Sequence, residues 1–440
     1  TISVTNITDI HGHLEDKIGD PAKAGDEIGV ARLQSLIKQV NEGQEFNLTS
    51  SGDNVGGSAF VSAISDDKYT LEALNEMGMK VTAVGNHEFD KGTEDLTGRI
   101  ADSSDYPILG ANVFKDGKPL LEASHVEEID GVKVGYVGTV TENTKYKVSA
   151  AKIPGITFTN PAEATNKEAT RLKESGEADV VVALMHEDAQ GFAEDFNKDV
   201  DVAFGGDTHV ATKGEIEREG ALPLQWAQGH EYGKLLNDVD ITFDKTAKKI
   251  TDISLKQYDA TAAAKVEPDA EIAAIVKKAQ QEADIEGAKT AGTVERALFR
   301  GSDENADSGS NRGVESTLNN FIADGQRYAM SKQVGEDIEI GVMNAGGVRA
   351  DLKGGDVTYK DIFEVQPFGN SVITAKISGE EFINALENQW QEGSRPRLAM
   401  GLSNNVQVVY DQKAGKGERV KSVTINGEQI DPKKDYSIAL

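Results

Sequence analysis

Side chains able to bind a metal ion recur at five places in this chain, each directly after a short apolar run: Asp9 and His11, Asp53, Asn86 and His87, His186, then Asp207 and His209. The runs at 2–7, 46–49, 81–84, 180–184 and 202–204 are too short for helices and rich in β-branched residues, so they are predicted strands. In an open α/β sheet, ligands bind in the crevice beyond the carboxyl ends of the strands. Five such ends would bring carboxylate, imidazole and amide groups to one spot. That donor set suits divalent cations.

Two divalent ions roughly 3.5–4 Å apart, sharing one carboxylate, can clamp a phosphoryl group between them. Asp53, which follows a strand and precedes Asn54-Val55-Gly56-Gly57, is the natural bridge. The spacing Asp9-x-His11 predicts two side chains on the same side of an extended segment, and Asp207-x-His209 repeats it. A water acidified by the metals would serve as nucleophile, so no serine or cysteine nucleophile is needed. His87, next to Asn86, is placed to protonate a leaving oxygen, and Asp90 to orient it.

The elements that must position these residues follow from length and periodicity. With 440 residues the chain should hold two domains. Its formal net charge of -28, from 74 acidic and 46 basic residues, argues against a nucleic-acid-binding surface. There are no cysteines, which excludes disulfides, thiolate ligands and cysteine nucleophiles, and which suits a secreted protein from an organism that avoids disulfides. No stretch is long and apolar enough to span a membrane, no signal peptide is present, and no protein partner is implied. The chain starts inside a strand pattern at Thr1 and stops within DYSIAL, which reads as a strand with a further C-terminal piece expected beyond it. Helical patterns at 30–40 and 70–77, and one at 162–174 opened by Asn160 and Pro161, complete an α/β alternation. Alternating strand-like residues cover 242–259, and an acidic, alanine-rich helix at 267–286 could link domains. Beyond it come a polar loop at 300–312, an amphipathic helix at 314–330 and a strand at 338–343. A capping box, Ser378 to Glu381, opens a helix over 382–390.

Asp9-Ile-His11, Ser51-Gly-Asp53-Asn, Gly85-Asn-His-Glu-Phe-Asp90, His186-Glu and Gly206-Asp-Thr-His209 together resemble the calcineurin-like metallophosphoesterases, specifically the two-domain secreted 5'-nucleotidase and UDP-sugar hydrolase family. Asn344-Ala-Gly-Gly-Val-Arg349 and Gln366-Pro-Phe-Gly-Asn370 look like that family's nucleotide-binding domain. The resemblance implies a four-layer α/β/β/α metallophosphoesterase sandwich over residues 1–256, a linker helix at 257–293, and a second, α+β nucleotide-binding domain over 294–440 that is cut short. It implies two divalent ions, zinc or manganese. Asp9, His11, Asp53 and His209 would hold one, and Asp53, Asn86, His186 and Asp207 the other, with His87 and Asp90 as the catalytic pair. It further implies that Asn344, Arg349, Phe368, Asn370 and Arg312 contact the nucleotide, Phe368 by stacking on the base, with a second aromatic beyond Leu440 on its other face. Substrate would then bridge the domains, with a hinge over 256–293 gating turnover.

The family usually has histidine where this chain has Asp207. A carboxylate there makes the second site harder and more anionic and favours manganese or another oxygen-seeking cation. The activity implied is hydrolysis of nucleoside 5'-phosphates outside the cell or at the cell wall, with nucleoside polyphosphates or UDP-sugars as further substrates. The alternatives are a 2',3'-cyclic-nucleotide phosphodiesterase with 3'-nucleotidase activity and a non-catalytic surface nucleotide-binding protein. Asp90 and the QPFGN form favour the first over the second, and the intact ligand set and His87 argue against the third. His13 reads as a hydrogen-bonding neighbour of His11, and Glu88, His125, His230, Trp226 and Trp390 as structural.

Overall fold

The computed structural model describes residues 1–301, 311–392 and 396–440. The polar loop expected over 300–312 therefore lies largely outside the described residues. The chain forms two compact units, Thr1–Asp284 and Ile285–Leu440.

The first unit opens with β1 (Ile2–Ile7), α1 (Val30–Val40), β2 (Phe46–Ser50), α2 (Lys68–Glu76), β3 (Met79–Ala83) and β4 (Ile108–Leu109). It continues with β5 (Ser124–Ile129), β6 (Val132–Val140), α3 (Pro161–Ser175), β7 (Val180–His186) and β8 (Val202–Gly205). It closes with β9 (Ala211–Ile216), β10 (Leu224–Gly229), β11 (Leu235–Asp244), β12 (Lys249–Asp259) and α4 (Ala270–Gly287). Two six-stranded sheets result, in the orders β12-β11-β1-β2-β3-β4 and β9-β10-β8-β7-β6-β5. In the first, β1 to β4 run parallel; in the second, β6, β7, β8 and β10 do. The parallel strands of each sheet thus end on the same side, where the candidate ligands lie.

Strict alternation along β7 builds the layers. Val180, Val182 and Leu184 point into the core shared by both sheets, with Val4 and Val81 opposite, while Val181, Ala183 and Met185 pack under α3 against Ala169 and Leu172. A strand buried on both faces reads as one continuous apolar run. On the other side, Leu33, Leu36 and Ile37 of α1 are fully covered. The architecture is the mixed α/β fold expected, with helices outside two packed sheets.

Helix α3 begins as its sequence dictates: the Asn160 side chain accepts from Glu163 N at 3.0 Å and Pro161 occupies the first turn. Strand β12 runs past residue 256 to Asp259 because its backbone pairs with β11 through Leu235–Asp259. The helix expected over 267–286 is α4, and Tyr69 Oη donates to its Glu282 at 2.8 Å, so most of it belongs to the first unit.

In the second unit, α5 (Thr317–Val334) leads to β13 (Ile340–Met343), and α6 (Tyr359–Val365) precedes β14 (Thr374–Ser378) and α7 (Gly379–Glu387). After β15 (Gly401–Leu402), the final strand is β16 (Asp435–Ala439). A mixed sheet of order β14-β16-β13-β15 packs through Ile340, Val342 and Ile438 against Phe382 and Leu386 of α7. The capping box at Ser378 and Glu381 forms as expected, both reciprocal bonds being present.

Candidate metal centre

The five strand ends converge. Asp9, His11 and His209 bring ligand-capable atoms together, and so do Asp9, Asp53 and His186, and His11, Asp53 and His87. The Asp53 Oδ2 atom lies 3.0 Å from His186 Nε2 and 3.5 Å from His11 Nε2, between the two groups. The Asp9 Oδ1 atom lies 3.3 Å from His209 Nε2 and 3.9 Å from His186 Nε2.

One expectation fails in its geometry. Asp9 and His11 do not share a face of an extended segment, nor do Asp207 and His209. Asp9 has φ 52°, His11 46°, Asp53 53°, Asp207 70° and His209 57°, all in the left-handed region. Backbone of that hand costs a non-glycine residue roughly 1–2 kcal/mol and persists only where surrounding contacts enforce it. Here the loops cross: Asp9 N donates to Gly52 O at 2.9 Å, His11 N to Asp53 O at 3.0 Å, and Tyr232 N to Asp9 O at 2.8 Å. Glycine is required where these loops meet. A Cβ on Gly85 would fall 2.1 Å from Asp53 Oδ1, and one on Gly206 would fall 2.5 Å from Thr8 Oγ1.

The imidazoles are held in one tautomer. His11 Nδ1 bonds Gly56 O at 2.6 Å and His186 Nδ1 bonds Ser51 O at 2.8 Å, so each ring donates from Nδ1 and turns Nε2 inward. Tyr232 packs edge-on against His11 and His209 and stacks on His13 with centroids 3.6 Å apart. His13 also bonds Glu27, the hydrogen-bonding role expected of it.

Among the buried atoms of the described residues that have no hydrogen-bond partner, three belong to the candidate ligands: Asp9 Oδ1, Asn86 Oδ1 and His186 Nε2. Asp9 Oδ1 and His186 Nε2 lie 3.9 Å apart, and buried polar atoms left without partners cost several kcal/mol unless a cation satisfies them. The donor set thus fits divalent ions. Burial would raise the Asp53 carboxyl, yet the charges of His186 and His87 hold it well below the ordinary carboxylate range. Burial likewise opposes charge on His186, but Asp53 and Asp9 push it well above the usual imidazole value, so a cation entering the space would have to displace the Nε2 proton. His11, for which burial dominates, falls to about 3 and stays neutral, as a ligand must.

His87 sits at the rim. Its backbone N donates to Asp53 Oδ1 at 2.8 Å and its Nδ1 bonds Asp90 Oδ2 at 2.8 Å. Burial lowers its pKa, but Asp53 and then Asp90 outweigh that and raise it to about 9, so the imidazole is protonated at neutral pH.

Two neighbours complete the site: Glu88, in the structural role expected of it, and Lys147, which carried no usable sequence signal. Glu88 accepts from Gly85 N at 2.6 Å, Asp53 N at 3.0 Å and Asn54 N at 2.9 Å, clamping two strand ends together. Burial and the Asp53 charge push its carboxyl upward, against these donors. Lys147 grips the Asp207 carboxylate, its Nζ lying 2.6 Å from Oδ2. The Asp207 Oδ1 atom remains 3.6 Å from His186 Nε2, so the residue does reach the cluster.

In the second unit Asn344 and Arg349 fall on the loop following β13, Phe368 and Asn370 on the loop following α6, and Arg312 ahead of α5. Arg312 and Asn344 flank Gly346, whose Cβ would lie 3.4 Å from one and 3.7 Å from the other. The Arg349 guanidinium lies 5.5 Å from the Phe368 ring centroid. Asn344 and Asn370 are exposed.

Residues 2–211 match the family of calcineurin-like phosphoesterases, and residues 290–440 match the 5'-nucleotidase C-terminal domain. The whole chain is 29% identical to Endonuclease YhcR of Bacillus subtilis, covering 36% of that protein. It is 24% identical to a 5'-nucleotidase of Vibrio cholerae over 98% of this chain and 82% of the relative. Among solved structures, the 5'-nucleotidase precursor from Thermus thermophilus superposes with a TM-score of 0.80 at 21% identity, covering 100% of this chain and 88% of the other. The chain spans about a third of the length of the first of these relatives. With its phosphoesterase half carrying the Asp and His cluster and its other half matching the nucleotidase domain, the chain belongs to the 5'-nucleotidase family of metallophosphoesterases.

Proposed function

We propose that this protein hydrolyses nucleoside 5'-phosphates to nucleoside and phosphate with two divalent ions, acting outside the cell. The observation that carries the reading is the convergence of Asp9, His11, Asp53, His186 and His209 at the strand ends beside the hydrogen-bonded pair of His87 and Asp90. Asp9, His11, Asp53 and His209 would hold one ion, and Asp53, Asn86, His186 and Asp207 the other. When bound, the ions would supply Lewis-acid activation of water and neutralise phosphoryl charge.

The remaining chemistry belongs to the chain. Asp90 fixes His87 by its Nδ1 bond, leaving Nε2 to give its proton to the departing nucleoside oxygen. Glu88 keeps Asp53 in register with Gly85. Asn344, Arg349, Phe368, Asn370 and Arg312 would bind the nucleotide, with Arg349 adding positive charge in a protein of net charge -28.

The test is phosphate release from 5'-AMP, 3'-AMP, 2',3'-cyclic AMP, UDP-glucose and a short oligonucleotide by EDTA-stripped protein resupplied with manganese or zinc. Release from 5'-AMP that needs metal and falls about 10²- to 10⁴-fold in His87→Ala is the expected result. Phe368→Ala should raise KM for 5'-AMP and leave kcat within a few-fold. Activity confined to the 3', cyclic or oligonucleotide substrates would overturn the 5'-nucleotidase reading.

A further inference from the structure

Lys147 stands apart from every residue given a role above, yet its ammonium holds both oxygens of Asp207. Nothing in its sequence surroundings, Thr144-Lys-Tyr-Lys147, marks it. The carboxylate it grips is nearly covered, at 8% side-chain exposure, whereas Lys147 itself reaches in from the surface at 37%. Asp207 Oδ1 meanwhile faces His186 Nε2, the buried atom with no hydrogen-bond partner. One carboxylate therefore faces two claimants, the ammonium of Lys147 and whatever cation fills the space at His186.

We propose that Lys147 is an intrinsic competitor for the second cation: by pairing with Asp207 it weakens that site selectively, so the protein binds one ion tightly and the other loosely. This rests on the two-ion reading above. Two effects act together. The ammonium occupies lone pairs that the ion needs, and its charge repels a dication brought to the same carboxylate. The pair also cancels the additional negative charge that aspartate introduces at this position, so the site is less anionic than Asp207 alone would make it. The first ion is spared, because among the described residues its two carboxylates, Asp9 and Asp53, are ion-paired with histidines and with no lysine or arginine.

The test uses the EDTA-stripped full chain titrated with manganese chloride and, separately, zinc chloride by calorimetry, with bound metal counted by elemental analysis. Wild type should bind two ions with unequal affinity. Lys147→Met, a replacement at a partly exposed position, should tighten the weaker site at least about tenfold and leave the stronger within about twofold, repulsion by a neighbouring unit charge being worth more than tenfold at an effective dielectric of about 20. In an Asp207→His background, where the carboxylate that anchors the ammonium beside the site is gone, the same Lys147→Met change should tighten the weaker site by clearly less than it does in the wild type. A weaker site that is unchanged or loosened in Lys147→Met, or two sites tightened equally, would overturn the inference while leaving the two-ion reading intact. A wild type that binds no ion would overturn both.

Discussion

Replacing Glu88 by glutamine tests whether the site is held together by backbone hydrogen bonds to one buried side chain. Glu88 is 3% exposed, and its carboxylate accepts three N–H groups: Oε2 takes Gly85 and Asp53, and Oε1 takes Asn54. Glutamine keeps one acceptor oxygen. If that oxygen serves Gly85 and Asp53, its NH₂ group confronts the Asn54 N–H, donor against donor. A buried donor left without an acceptor costs about 1–3 kcal/mol, so the loss should be about 2 kcal/mol. Trp226 lies in the first unit and Trp390 in the second, so urea unfolding followed by fluorescence in a Trp390→Phe background reports on the first unit alone. With a urea slope of about 3 kcal/mol/M, the midpoint should fall by roughly 0.7 M in EDTA, where no metal contributes. Glu88→Ala, which strips all three acceptors, should fall further. A Glu88→Gln midpoint within about 0.2 M of the parent would refute the reasoning.

Three further outcomes are expected. Gly206→Ala forces a Cβ to within 2.5 Å of Thr8 Oγ1 and 2.9 Å of Asp9 Oδ2, so calorimetry should show metal affinity reduced by at least about tenfold, the scale on which disturbed ligand surroundings act, with far-UV circular dichroism unchanged. Burial would raise the Glu231 carboxyl, but the bonds from His230 and Lys234 bring it down to about 2. A carboxyl depressed in the fold stabilises above its unfolded value and loses that stabilisation as pH falls toward the folded one. Stability worth roughly 3 kcal/mol should therefore drain away between about pH 4.5 and pH 2, and urea midpoints at pH 5, 4 and 3 should fall less steeply in Glu231→Gln. Asn160→Ala removes the acceptor for Glu163 N at the start of α3 and should cost about 1 kcal/mol by the same unfolding assay.

What could be read from the sequence was local. The run at 180–186 is apolar at every position through Met185 because β7 is buried along its whole length, and the alternation of its side chains between two cores follows from strand geometry alone. Helix α1 ends where its apolar stripe does, and Asn160-Pro161 and Ser378 mark helix starts by chemistry confined to one turn. Candidate ligands were visible for a related reason: only a few side-chain types bind hard cations, and theirs sit where strand patterns stop. Helix α4 was legible as a helix but not as part of the first unit, since its contacts, Glu282 with Tyr69 and Gln280 with Glu15, span more than two hundred residues.

The sequence by itself determined the donor types, the strands that carry them and the His87–Asp90 pair, because each depends on residue chemistry and near neighbours. Tertiary structure alone decided how those donors meet. The left-handed backbone at Asp9, His11, Asp53, Asp207 and His209 exists only because crossing loops enforce it, and an extended reading of Asp9-x-His11 could not foresee that. The clamp of Glu88 on Asp53 and the grip of Lys147 on Asp207 join residues 35 and 60 positions apart. Periodicity and propensity act over a few residues, whereas burial and charge act through space, and the balance of charge at this site is set by packing.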